Sequence, residues 1–191
     1  LDLVIADVSG HNIGAALIMA ETRTFIQANA KDLPSPSAIM DALNQFFYQD
    51  LTNAELFITM FYLKYNPQSQ RLTYASAGHN PPIILRSEAS ACERLDAEGM
   101  ILGIKTGIIF EEKQNELQPG DVLLLYTDGI IEAENREGVF FGEERLCAIL
   151  NENQQYPPKD LINVLLDQVR MFSGMQNFKD DVSLVVLKID E

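Results

Sequence analysis

Val122-Leu123-Leu124-Leu125-Tyr126-Thr127-Asp128-Gly129 is the stretch on which the reading of this chain turns. Its unbroken apolar run is far too short to cross a bilayer, and its length is that of a strand. It predicts a buried strand over residues 122–127, with a carboxylate at its end. Asp128-Gly129 is an ordinary turn dipeptide. Asp128 is equally a carboxylate held by rigid backbone at the edge of a cleft.

Upstream of this strand, Pro119-Gly120-Asp121 reads as a turn and residues 106–117 as a strand. Residues 87–99 are polar and read as loop. Residues 71–77 and 83–86 read as strands joined across Gly78-His79-Asn80-Pro81-Pro82. Residues 56–65 are rich in aromatic and β-branched side chains and form another strand, closed by the turn Asn66-Pro67-Gln68-Ser69. Before this β-rich middle lie two helices. In one, Ser35 caps and Pro36 fills the first turn, and Ile39, Met40, Leu43, Phe46 and Phe47 fall on one broad face. In the other, residues 14–29, the side chains of Leu17, Ile18, Met19, Phe25 and Ile26 are available for a core face. Gly10 and Asn12 mark the turn before it, since both tolerate positive φ. Residues 1–7 read as a buried strand that starts without turn or cap, as though the chain were cut inside a domain.

Downstream, residues 138–142 form a loop into a short helix over 143–150. Pro157-Pro158 opens another helix, in which Leu161, Val164, Leu165, Val169 and Phe172 share a face. Residues 182–189 are the final strand. Strands and helices come in blocks, which predicts an α+β fold of stacked layers rather than a βαβ repeat. No repeat, low-complexity tract or linker divides the chain, so residues 1–191 read as one domain.

Composition narrows the function. The hydrophobic fraction of 47% suits a globular core, and no basic segment followed by an apolar one marks a signal peptide. Acidic residues number 28 against 14 basic ones, a formal charge of -14, so nothing concentrates positive charge for a nucleic acid. Cys92 and Cys147 form no metal-spaced pair and are expected to be two reduced thiols in a cytoplasmic protein.

Three aspartate positions stand at the edges of apolar strands: Asp7 after Val4-Ile5-Ala6, Asp128, and Asp180-Asp181 before Val182. Converging carboxylates repel one another unless a cation lies between them. Oxygen-only ligands favour Mg²⁺ or Mn²⁺ over zinc. Any one of these aspartates alone is more simply a turn residue.

Four segments, in order, carry a resemblance. Ala6-Asp7-Val8-Ser9-Gly10-His11 resembles the D-V-S-G-H-G motif of PP2C-like protein serine/threonine phosphatases of the bacterial RsbU/SpoIIE type. Ser76-Ala77-Gly78-His79-Asn80-Pro81 resembles their A-G-H-x-P turn. Residues 125–133 resemble their Y-T-D-G-[VI]-x-E-A segment, and Asp180-Asp181-Val182-Ser183 their closing D-D-[MV]-[ST]. The resemblance implies a four-layer α/β/β/α sandwich, with two antiparallel sheets flanked by helices and the family's first strands missing. It implies Mn²⁺ or Mg²⁺, two ions in a complete domain, held by Asp7, the Val8 backbone carbonyl, Asp128 and Asp180. Asp181, Gly129 and His11 would lie just behind these ligands.

The family's further acidic ligand, in a G-G-D-x-x-D stretch, is not in this sequence, and Asn12 stands where the family has Gly. Asn12 is expected to keep the turn through a left-handed backbone. His79, in a Gly-Pro turn, is expected to be a hydrogen-bonded structural residue. His11 is the better candidate for an acid, although a structural role is expected there too. The implied function is hydrolysis of phosphoserine or phosphothreonine on a protein such as an anti-sigma-factor antagonist. The implied setting is the cytoplasmic output domain of a larger regulator with an N-terminal sensor or receiver domain, away from membranes, and a homodimer is allowed. The rivals are an inert PP2C-like module that docks a partner, and a metal-dependent nuclease or other phosphoesterase; the acidic composition disfavours the last.

Overall fold

The opening apolar stretch forms β1 (Asp2–Val8), followed by α1 (Ile13–Asn29), α2 (Pro36–Ala54), β2 (Ile58–Asn66), β3 (Arg71–Ala77), β4 (Ile83–Leu85) and β5 (Cys92–Arg94). Then come β6 (Glu112–Glu116), β7 (Val122–Tyr126), α3 (Asp128–Ile131), α4 (Gly142–Asn153), α5 (Pro158–Ser173) and β8 (Leu184–Lys188). The computed structural model describes residues 1–87, 91–174 and 178–190. They divide into two compact units: residues 1–79 with 96–116, and residues 80–95 with 117–191.

In the first unit the sheet runs β1-β2-β3-β6, antiparallel throughout. Strand alternation sorts its side chains by face. Val8, Ile58, Met60, Tyr62, Ala75 and Ala77 join one apolar cluster with α1 and α2, so Asp7 and Thr59 lie on the opposite face of the same sheet. Ser35 accepts a hydrogen bond from the Ala38 amide with Pro36 in the first turn, and α2 ends at Glu55 in the left-handed region, φ 55°.

Three expectations change here. Asn12 is not left-handed: it sits at φ -95° and caps α1, its side chain accepting from the Ala15 amide at 2.9 Å. Extended backbone at the cap is what aims a short side-chain oxygen at the first free amides of a helix. Leu17 and Met19 are exposed rather than buried, because α1 buries only the narrow stripe Ala15, Ile18 and Thr22, and Phe46 falls outside the face that α2 buries through Ile39, Met40, Leu43 and Phe47. The strand expected over residues 106–117 shortens to β6, with residues 106–111 outside any strand.

In the second unit the sheet runs β5-β4-β7-β8, again antiparallel. All five residues of β7 are buried. Val122, Leu124 and Tyr126 share a cluster with Ile83 and Leu85 and with Leu146, Leu150, Leu161, Leu165 and Val169 of α4 and α5. The segment expected to be loop over 87–99 contains β5; residues 88–90 lie outside the described residues. Asp128-Gly129, expected as a turn, opens the single-turn helix α3.

The cysteine expectation is overturned. Cys92 and Cys147 form a disulfide, their Cα atoms 6.0 Å apart across 55 residues of sequence. Edge strand β5 and helix α4 are brought together by the fold, a proximity that sequence spacing does not carry. Among the described residues no helix is long and apolar enough to cross a membrane.

Candidate functional site

Asp7 is the last residue but one of β1 and is exposed. Its place is set by the residues just beyond it. The Ser9 amide donates to the Phe57 carbonyl and the Ser9 hydroxyl accepts from the Phe57 amide, both at 2.9 Å. This reciprocal pair carries the Asp7-Val8 backbone up to the start of β2. Gly10 then turns at φ +87°, a region open to glycine and costly for other residues. His11 is exposed between that turn and the Asn12 cap.

Across the strand pair, Asp7 stands opposite Thr59. The Thr59 hydroxyl lies 2.8 Å from Nδ1 of His79, which is buried, as expected of a hydrogen-bonded histidine. The Gly78-His79 turn is itself pinned. Gly78 pairs with Met60 of β2, and a Cβ on it would come within 2.5 Å of the Ile101 side chain.

In the second unit, Thr127 does the holding. Its hydroxyl donates to the Asp181 carbonyl at 3.1 Å and accepts from the Ser183 amide at 2.9 Å, while its own amide donates to the Ser183 carbonyl. Nearby, Gly129 lies so close that a Cβ would come within 2.5 Å of the Asp181 carbonyl oxygen. Asp128 and the Asp180-Asp181 segment are thereby brought side by side from positions 52 residues apart (180 − 128). Asp128 is half-buried and Asp180 exposed. The Asp180 carboxylate accepts from the Asp181 amide at 2.8 Å, and Asp181 contributes its backbone carbonyl to the clamp.

Beside this clamp is a cavity of about 310 Å³, whose wall includes Gly129, Glu132, Glu134, Phe140, Lys179 and Asp180. The Lys179 ammonium and the Glu134 carboxylate meet at 3.0 Å, tying the residue before Asp180 to the loop after α3. At the end of β7, Tyr126 donates to Glu143 of α4. Burial, and then the Glu143 carboxylate beside it, push the Tyr126 hydroxyl well above its ordinary range, so it remains a donor.

Carboxylate oxygens at strand and helix ends are donors of the kind that a hard divalent cation takes, and Gly129 lets the chain pack tightly against the Asp181 carbonyl. Asp7 belongs to the first unit, and Asp128 and Asp180 to the second. Among the described residues no three His, Cys, Asp or Glu side chains are gathered as a group able to hold one ion. Sequence reasoning missed Thr59, Glu134 and Lys179. Thr127 was visible only as a letter of the T-D-G motif, one residue before an aspartate.

The sequence profile described as "Stage II sporulation protein E (SpoIIE)" matches residues 1–190. The phosphoserine phosphatase RsbU of Bacillus subtilis is 30% identical over 188 residues, covering 98% of this chain and 55% of RsbU. The chain thus spans about half the length of that relative. Among solved structures, the SiaA-PP2C domain of Pseudomonas aeruginosa superposes with a TM-score of 0.86 at 18% identity, covering 99% of this chain and 76% of that one. RsbX in complex with magnesium gives a TM-score of 0.72 at 16% identity, covering 97% and 79%. Matches at such identities show the fold: two antiparallel four-stranded sheets with helices, as in PP2C-like phosphatase domains.

Proposed function

The chain belongs to the SpoIIE family, and from that premise we propose that residues 1–191 are a PP2C-like phosphatase domain that hydrolyses phosphoserine or phosphothreonine on a partner protein. The observation that carries this reading is the Thr127–Gly129 clamp. It holds the Thr127–Gly129 backbone against the Asp181 carbonyl, and so brings two separate family motifs together beside a cavity whose wall includes Gly129 and Asp180. The supporting likeness is to a phosphoserine phosphatase along nearly the whole chain.

Asp7, the Val8 carbonyl, Asp128 and Asp180 would hold Mn²⁺ or Mg²⁺. The chemistry that such a cation supplies is acidification of the attacking water and neutralisation of charge on the phosphoryl oxygens. The chain's own residues do the rest. Lys179, held by Glu134 at 3.0 Å, stands on the cavity wall beside Asp180, and Phe140 lends the wall an apolar surface. Hydrolysis by water requires no covalent phosphoenzyme. The partner is of the anti-sigma-factor-antagonist kind, and in the whole protein a sensor or receiver domain would govern this one.

The test is turnover of a phosphorylated partner during titration with Mn²⁺, wild type against Asp128→Ala. Loss of several kcal/mol of charge stabilisation predicts a fall of about a thousand-fold or more. Absence of turnover by either protein would favour the inert docking module instead, and equal turnover by the two would overturn the ligand role of Asp128.

A further inference from the structure

We propose that Cys92 and Cys147 are a redox-modification site, a dithiol–disulfide pair whose state sets how firmly the start of α4 and the adjoining cavity wall are held. Its effect on catalysis rests on the phosphatase reading above; its effect on structure does not. These are the chain's two cysteines, and both are half-buried, so a small thiol can reach the bond. Strand alternation puts Cys92 and Arg94 on one face of β5, and Glu143 and Cys147 lie one turn apart on one side of α4. The disulfide and the Arg94–Glu143 pair therefore lie in line between the same two elements.

Glu143 is where this tie meets the site. Its carboxylate accepts from Arg94 at 2.6 Å and from the Tyr126 hydroxyl at 3.2 Å, and Tyr126 precedes Thr127 of the clamp. Just before α4, Phe140 forms a bridge with Glu134, and the Phe141 amide donates to the Ala133 carbonyl. Glu134 and Phe140 both belong to the cavity wall, so a shift in the first turn of α4 moves that wall. All of these residues belong to the second unit.

The tie can open without unfolding the unit. Leu146 and Leu150 of α4 are buried in the apolar cluster with β4 and β7, and that packing does not depend on the S–S bond. What then remains between β5 and the start of α4 is the Arg94–Glu143 pair, which is weak because Arg94 is mostly exposed. Opening is exchange with a dithiol reductant. One of its thiolates attacks a cysteine Sγ, the S–S bond breaks, and the other cysteine leaves as a thiolate and takes a proton. The reductant's second thiolate displaces the first cysteine from the mixed disulfide, and that cysteine takes a proton too. The protein gains two electrons and two protons, and the reductant leaves as its own disulfide.

The experiment is amide hydrogen exchange on the chain treated with oxidised glutathione, on the chain treated with dithiothreitol, and on Cys92→Ser/Cys147→Ser. Residues 133–147 should exchange about tenfold or more faster in the reduced chain, with residues 122–126 and 161–169 unchanged. The double variant should match the reduced chain and ignore reductant. The kcat/KM for a phosphorylated partner should fall about tenfold on reduction and return when oxidised glutathione is restored. A bond that dithiothreitol opens only in denaturant overturns the proposal, and so do two titratable thiols that survive oxidised glutathione in the folded chain. Equal exchange over residues 133–147 in both forms overturns it, as does a rise that also takes in residues 122–126 and 161–169. An active enzyme with the same kcat/KM in both forms overturns the control of catalysis. If no sample turns over the partner, the phosphatase reading fails, and exchange over residues 133–147 still decides the thiol pair. Should the double variant not fold, the two forms of the wild type decide alone.

Discussion

Thr22 turns its hydroxyl into the apolar cluster beneath α1, where it is 2% exposed and has no hydrogen-bond partner among the described residues. A buried hydroxyl without a partner costs roughly 1–3 kcal/mol, and valine has nearly the same shape. Thr22→Val should therefore raise stability by about 1 kcal/mol, read as a higher urea midpoint with an unchanged slope. A lower midpoint would mean that the hydroxyl has a partner after all. At this scale the sequence was legible where a residue has one structural use. Ser35-Pro36 announced a capped helix start, and Gly10 a left-handed turn. Asn12 was misread because asparagine serves both left-handed turns and extended caps. Only the direction of the next helix, which reaches back to Asn12 through the Ala15 amide, distinguishes them.

Elements here are fastened by contacts whose strengths differ widely. β5 and α4 share two ties: the Cys92–Cys147 disulfide, and an ion pair of Arg94 with Glu143 at 2.6 Å. Arg94 is mostly exposed, so its pair contributes about 0–1 kcal/mol. Closing a loop of 55 residues contributes about 4 kcal/mol in the chain-entropy picture. Replacing both cysteines by serine should thus lower the unfolding midpoint several times more than Arg94→Ala, and reductant should shift the wild type but not the double variant. A similar loss from either change would mean that the covalent tie adds little.

A third fastening joins α2 to β6, where the Ser37 hydroxyl donates to Glu112 at 2.8 Å and the Ser37 amide at 3.2 Å. Partial burial works against the Glu112 charge, but the Ser37 and Ser35 hydroxyls and the Ser37 amide outweigh it and hold the carboxyl below its ordinary range. A depressed folded value means that this stabilisation is complete above the ordinary carboxylate range and is lost as pH falls through the folded value. Glu112→Gln should therefore be less stable than wild type at neutral pH, and the gap should close as pH falls below the ordinary carboxylate range. A gap that stays constant with pH would assign the effect to packing. The fastenings were the part hidden from sequence reading. Periodicity showed the helices and most strands, but the 92–147 and 37–112 contacts depend on which strands pair, and no local pattern specifies that.

For the whole molecule, charge is the dominant long-range fact. Even if all 14 basic residues were matched, 14 acidic ones would remain (28 − 14) without a counter-charge. Net charge of this size pushes the compact state apart, and the repulsion acts over distances that salt screens, about 10 Å at 0.1 M ionic strength. Salt also weakens the ion pairs, but most of those seen have an exposed partner and contribute little. Arg86–Asp121 differs: Asp121 is 1% exposed and also accepts from the Ser87 and Gln118 amides, so it is shielded from screening. Repulsion should therefore win the balance. Raising sodium chloride from low to about 0.5 M should move the urea midpoint upward, with most of the gain complete by the concentration at which the Debye length falls below typical charge spacings. A midpoint that falls with salt would show instead that specific ion pairs outweigh the net charge. The same excess bears on the proposed chemistry, since a phosphate dianion approaching this surface meets a like field. The kcat/KM for a phosphorylated partner at fixed, saturating Mn²⁺ should then rise as salt screens that repulsion, and a steep fall with salt would show that a local positive field steers the encounter.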